Sequence, residues 1–398
     1  MPQTMKTTLT TLLILFSFSF LLAQEPIEIG TKYKIDSKVL QEEREVWLAL
    51  PANYDPQMAY PVLYVLDAEW QFDIARSLTK ELAWTDQVPP HIVVGIPHID
   101  YRHRFMDLTF SGTEFNSKGE KDATAADAFN PETTGGGMNF YRYLTEEVME
   151  FVNAKHRTNG FDVLVGHSLG GYFGAYVLPL EGPFNAYQLF DASIWYNKGD
   201  AINHLVENAP EKLSSNVFIA TAAGGEDRAQ YNVDTQRKFH ESLEEMKVSS
   251  VLHVYEDEDH GSVRLPGLID GLTNLYEGVS FGYIFPTDTV TVADAKAHYQ
   301  AFSEKVNHPF ACPVDVYRWI GFANFTQEKW GQAIEAYELC NTLFDTDANV
   351  LREFGECLYQ TNEFPKSLEM FEKALGLDPE NETIQDRIKE LGARGNNK

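Results

Sequence analysis

The sequence predicts a two-part chain: an α/β fold on a mostly parallel, eight-stranded sheet, followed by an all-α segment. Three observations lead there. From Ile27 to Tyr255, short β-branched apolar runs alternate with helical patterns, an alternation that puts helices on both faces of a parallel sheet. After Pro286 the strand signal stops. Beyond it, aromatic and small residues recur every 34 residues, a period typical of stacked helical hairpins.

The strands are expected at Ile27–Ile35, Glu45–Leu50, Val62–Asp67, Ile92–Ile96, Val163–Gly166, Gln188–Ala192, Val217–Thr221 and Val251–Tyr255. The later runs are apolar on both sides, as strands buried within a sheet are. Phe140, Leu144, Val148 and Phe151/Val152 recur at helical spacing, as do Phe239, Leu243 and Met246. Phe110–Gly137 is rich in Gly, Ser, Thr, Asn and Asp and reads as one long loop, of a length that is usually functional or mobile.

The chain divides into residues 1–23, 24–285 and 286–398. Lys6 precedes the apolar run Leu12–Leu22, and Ala23-Gln24-Glu25 follows it. That order describes a secretory signal peptide, and the run is too short for a membrane span. The mature chain is therefore expected to begin near Gln24 and to be periplasmic or secreted, with no membrane span. No Cys follows the run, which excludes a lipoprotein anchor. The 32 Lys+Arg against 59 Asp+Glu give a net charge of −27, with no basic stripe for nucleic acid or anionic lipid. Cys312, Cys340 and Cys357 are too few for a disulfide framework and read as small buried hydrophobes.

The chemistry centres on Phe161-Asp-Val-Leu-Val-Gly166-His167-Ser168-Leu169-Gly170-Gly171. A buried strand runs into G-x-S-x-G and then into a helix rich in small residues. Such a turn is sharp, and it lifts the Ser168 hydroxyl above the sheet edge at a helix N-terminus. A serine needs a base. In this architecture an acid and then a His follow the nucleophile along the chain. His260 follows the last strand and is the expected base; His253 lies inside a strand and His167 flanks the nucleophile. Asp227 is the expected acid, with Glu226 beside it as the alternative. No HExxH or Cys/His cluster occurs, so neither a metal nor a cofactor is expected.

Several stretches together resemble the putative-esterase family of α/β-hydrolases, and its siderophore-esterase-like branch most. They are Arg44-Glu-Val-Trp-Leu-Ala-Leu-Pro51 with Tyr54, Tyr60-Pro-Val-Leu-Tyr-Val-Leu-Asp67, Ile92-Val-Val-Gly-Ile96, Arg104 with Asp107-Leu-Thr109, Gly135-Gly-Gly137, the turn at Ser168, Ala192-Ser-Ile-Trp195 and His260-Gly-Ser262. The resemblance implies an α/β-hydrolase fold and a serine esterase acting on a small-molecule ester, of the siderophore-trilactone or the carbohydrate type. It implies an oxyanion hole from the backbone N–H of Leu169 and one in the Asp67–Trp70 turn, taken as Ala68, where the family usually has Gly. Trp70, Trp195 and Tyr196 are expected to wall the pocket. Arg102, His103 and Arg104 are expected to supply positive charge at its mouth.

Phe364–Pro379 resembles the second half of a tetratricopeptide repeat. Gly321/Gly355, Phe325/Tyr359, Trp330/Phe364 and Tyr337/Phe371 repeat at 34 residues. Two repeats are expected at about 314–347 and 348–381, with a polar capping helix after them. Two repeats bury little alone, so docking on the first domain or an extra helix at Asp294–Val306 is expected. The rival reading makes the repeats a protein-binding module and the hydrolase a platform.

Overall fold

The structure is a computed structural model that describes residues 28–224, 228–343 and 347–395. The expected leader, residues 1–23, lies outside the described residues.

Eight strands form one sheet: β1 (Thr31–Ser37), β2 (Glu42–Ala49), β3 (Tyr60–Leu66), β4 (Ile92–Ile96), β5 (Thr158–His167), β6 (Phe184–Phe190), β7 (Asn216–Ala222) and β8 (Ser249–Tyr255). Their order is β1-β2-β4-β3-β5-β6-β7-β8. β2 runs antiparallel to both β1 and β4, and every other pairing is parallel. The central strands are buried on both faces, which explains their unbroken apolar runs.

Only β4 keeps its expected bounds, and the shifts in β5 and β6 bear on the site. β5 begins five residues early, through Gly160 at φ 76°. β6 begins at Phe184 and ends at Phe190, not at Ala192. Pro183 and Asn185 look like turn residues, but parallel pairing with β5 draws Phe184 and Ala186 into the sheet. The end matters more, because it leaves Asp191 in the turn beyond the strand.

Helices cover both faces. On one lie α1 (Ala68–Trp84) and the helix Arg264–Leu275; on the other lie α2 (Tyr101–Leu108) and the helix that begins at Gly137. The latter passes through a π-helical stretch, Tyr143–Val148, before ending at Lys155. The segment expected as one long loop contains a short helix, α3 (Ala123–Ala128), with Asp122 as its N-cap, and a bridge between Phe115 and Lys121.

Beyond the sheet come helices Val292–Val306, Val314–Thr326, Trp330–Leu343, Ala348–Gln360, Phe364–Leu377 and Glu382–Gly395. The middle four form two hairpins whose packing repeats at the 34-residue spacing. Phe325 meets Trp330 edge-on at 5.8 Å, and Tyr359 meets Phe364 edge-on at 5.6 Å. Gly321 lies against the Tyr337 ring as Gly355 lies against Phe371; a Cβ at either glycine would crowd the ring. Asn324 is buried and donates to the carbonyls of Ile320 and Val290. The helix Val292–Val306 belongs to two cores. Tyr299, Phe302 and Val306 pack with Leu272 and Tyr276 of the α/β part, and Val292 and Ala295 pack with Tyr317 and Ile320. No helix among the described residues is long and apolar enough to cross a membrane.

Candidate active site

β5 ends at His167 and the helix α4 (Leu169–Val177) starts two residues later, with Ser168 between them at φ 58°, ψ −119°. A non-glycine residue there costs about 1–3 kcal/mol, so the surroundings must hold it. Its N–H donates to the Phe190 carbonyl at 3.0 Å, and its own carbonyl accepts from Tyr172 and Ser193 N–H at 3.0 and 2.9 Å. The glycines around it are steric requirements. A Cβ on Gly166 would lie 2.2 Å from the Gly170 carbonyl oxygen, and one on Gly171 would lie 2.7 Å from the Ala192 Cβ.

His260 lies in the turn after β8. Its Nε2 is 3.1 Å from Ser168 Oγ and its Nδ1 is 2.5 Å from Asp191 Oδ2. Asp191 is buried. Its Oδ1 accepts from Asn232 Nδ2 at 2.7 Å, Gln236 Nε2 at 3.1 Å and the Ala222 N–H at 3.3 Å. A carboxylate held this way accepts the Nδ1–H of His260 and leaves Nε2 bare to accept the Ser168 hydroxyl proton. Glu226 and Asp227, the acids expected from the sequence, lie outside the described residues; the imidazole edge either would have met is occupied by Asp191. Asp191 is not among the expected residues because the strand expected at Gln188–Ala192 covers it. The signal available was that an Asp at a strand's C-terminal end, between Ser168 and His260, also satisfies the chain order.

Leu169 and Ala68 are each the first residue of a helix, so their N–H groups precede the first intrahelical bond and are free to bind an anion. The two turns adjoin: a Cβ on Gly170 would lie 3.3 Å from Asp67 Oδ2. Asp67 adopts the left-handed conformation.

Arg104, expected at the substrate, is turned to another use. Its Nε and Nη2 donate to the two Asp67 oxygens at 2.6 and 2.9 Å, and it is buried. His98 Nε2 stands 3.4 Å from Asp67 Oδ1, a charge contact longer than a good hydrogen bond, and His98 Nδ1 is 2.8 Å from Asp107. Arg44 closes the row with two bonds to Asp107 at 2.7 and 2.9 Å. Burial works against charge on His98, but its bond to Asp107 and the charge of Asp67 outweigh burial and raise its pKa to about 9. The same balance of burial overcome by Arg104 and His98 holds Asp67 well below the usual carboxylate range.

The remaining expected residues separate. Trp70 is 44% exposed on the first turn of α1, 5.9 Å from the exposed Tyr101 ring. Trp195 is partly buried against the core. Tyr196 is fully buried and donates to the Ser111 carbonyl, so it belongs to the core and not to an open wall. Arg102 reaches the Glu132 carbonyl, and His103 pairs with Asp100. A cleft of about 610 Å³ lined by Leu50, Arg76, Trp84 and His91 lies at the opposite ends of the parallel strands from Ser168.

The family model described as putative esterase matches residues 37–180. The chain is 23% identical over 273 residues to the apo-salmochelin esterase of Escherichia coli O6:H1, a match spanning 66% of this chain and 79% of that protein. It is 27% identical over 245 residues to the ferri-bacillibactin esterase BesA of Bacillus subtilis, spanning 56% and 81%. Among solved structures it is similar to an IroE-like serine hydrolase from Shewanella oneidensis, with TM-score 0.64 and 26% identity over 79% of this chain and 98% of that one. An uncharacterised protein from Capnocytophaga ochracea shares the fold over 92% of this chain and 99% of its own, with TM-score 0.58 and 16% identity.

Proposed function

We propose that this chain, a carboxylic ester hydrolase, works through Ser168, His260 and Asp191 by way of an acyl-enzyme. The observation that carries the reading is the continuous row from Ser168 Oγ through the His260 ring to Asp191, at 3.1 and 2.5 Å. Ser168 Oγ attacks the ester carbonyl while His260 Nε2 takes its proton. The N–H groups of Leu169 and Ala68 receive the oxyanion. His260 returns the proton to the departing alcohol, and water then repeats the sequence on the acyl-enzyme. Asp191, and neither Asp227 nor Glu226, orients the imidazole and stabilises its charged form.

The substrate class is a small-molecule ester of the siderophore-trilactone type. The names of the similar esterases support it, as does the exposed Trp70–Tyr101 pair beside the Ala68 turn, which offers aryl groups a stacking surface. We read the chain as exported, on the leader pattern at residues 1–23, and the two hairpins as tetratricopeptide repeats docked through Val292–Val306. The row of hydrogen bonds at Ser168 favours catalysis over a function carried by the repeats alone.

One experiment tests the reading: turnover of p-nitrophenyl acetate to octanoate, a catechol trilactone, and acetylated and feruloylated sugars, with fluorophosphonate labelling in parallel. The trilactone is expected to have the highest kcat/KM, with the label on Ser168. A label elsewhere contradicts the mechanism, and a preference for the sugars contradicts the substrate class.

A further inference from the structure

His167 precedes the nucleophile, and the mechanism above gives it no task. Its Nε2 lies 2.6 Å from the backbone carbonyl oxygen of His260. A carbonyl only accepts, so Nε2 carries the proton and donates. The two imidazoles stand 4.4 Å apart between centroids, inclined by 40°. His167 therefore holds the main chain of His260, while Asp191 and Ser168 meet its ring.

The rest of the base's turn is tied mainly to itself. The Asp259 carboxylate accepts from Gly261 and Ser262 N–H at 2.8 Å each, and the Asp259 N–H donates to Ser262 Oγ. The Val263 N–H donates to the Asp259 carbonyl, and Gly224 N–H reaches the Glu258 carbonyl from the end of β7. These bonds give the turn its shape and fasten it to β7. The bond from His167 fastens it to β5, the strand that delivers Ser168. Base and nucleophile are thus referenced to one strand, and a misplacement of about 1 Å between such groups can cost on the order of 100-fold in rate.

We propose that His167 is a positioning residue for the catalytic base, fixing the His260 main chain relative to the Ser168 turn. The inference rests on the reading of Ser168 and His260 as nucleophile and base. Its chemistry suits the task. Burial chiefly, with the charges of the His260 ring and Arg264 adding to it and the bond to the His260 carbonyl and Asp67 opposing it, lowers the His167 pKa to about 3. The ring stays neutral through the neutral range, keeps one donor on Nε2, and sets no charge against His260 while that ring becomes cationic in the reaction.

The test compares His167→Gln with His167→Met in the full-length protein. The two side chains have similar length, but only the glutamine has an N–H to give. Thermal melting checks folding, and steady-state kinetics on p-nitrophenyl butyrate separates kcat from KM. The methionine variant is expected to lose roughly 10- to 100-fold in kcat with KM little changed, and the glutamine variant to stay within about fivefold of wild type. Equal losses in the two folded variants, or wild-type kcat in the methionine variant, overturn the proposal. If the methionine variant does not fold, glutamine decides alone: kcat within fivefold supports the proposal and a larger loss overturns it. A failure of the underlying reading looks different, since Ser168→Ala would then keep its activity whatever stands at 167.

Discussion

Arg104 grips Asp67 with two hydrogen bonds, Nε to Oδ1 at 2.6 Å and Nη2 to Oδ2 at 2.9 Å, directly beneath the turn that offers the Ala68 N–H. Asp67 is fully buried and sits in a left-handed conformation. The pair thus fixes both the charge and the shape of that turn. Arg104→Met leaves the Asp67 charge short of its partner, a change that typically costs about 3–5 kcal/mol. Denaturant unfolding should show a loss of this size. Arg104→Lys keeps the charge but not the fork, and should cost less stability while still lowering kcat.

His98 gives this row a pH dependence. Its folded pKa, about 9, lies above the ordinary value of 6.5. The stability it contributes is therefore fully present below about pH 6.5 and is lost as pH rises through about 9. Melting temperature should fall across that window in the wild type. The fall should be smaller in His98→Gln, which has no such proton to lose, and an equal fall in both would contradict the assignment.

Gly166→Ala should not yield a stable protein. The added methyl would lie 2.2 Å from the Gly170 carbonyl oxygen, where neither backbone can give way. We expect a loss of about 3 kcal/mol or more, or insoluble expression. Gly331→Ala is the contrast: its Cβ would meet nothing within 4 Å and lies within a helix. It should be neutral or stabilising by up to about 1 kcal/mol.

Removing everything after Pro286 should leave a less stable hydrolase. Phe302 and Phe310 pack on Tyr276, and Phe310 packs on Phe161. Full burial of one side chain such as Phe302 is worth roughly 1.5–3 kcal/mol, which the cut removes. Residues 287–398 alone should melt without a sharp transition, because Tyr299, Phe302 and Val306 would lose their cover. A cooperative, high-temperature melt of that fragment would contradict the docked arrangement.

The sequence made the sheet legible because buried parallel strands are apolar on both faces and cannot hide. The turn at Ser168 was legible because a side chain at Gly166 or Gly171 would collide with its neighbours, and the place of His260 because it follows a strand end. The 34-residue spacing likewise paired Gly321 with Gly355 and Phe325 with Tyr359 before any contact was visible. Asp191 was not legible, since one strand read two residues too long conceals it. The partners that fix it, Asn232, Gln236 and the Ala222 N–H, come from elements far along the chain. Arg104 was seen but misassigned. A positive residue near a site suggests a ligand contact, and only the fold shows that Asp67 already holds it.

Comparing Asp191→Asn with Asp227→Asn is the most direct test of the account. Asparagine at 191 presents the wrong group to the His260 Nδ1–H, while three of its neighbours expect an acceptor. Turnover of p-nitrophenyl butyrate near neutral pH should fall by roughly 10²- to 10⁴-fold, with folding retained. Asp227→Asn should stay within about tenfold of wild type, because Asp191 already meets His260 Nδ1. If Asp227→Asn instead suffers the large loss and Asp191→Asn does not, the row from Ser168 through His260 to Asp191 is not the catalytic one.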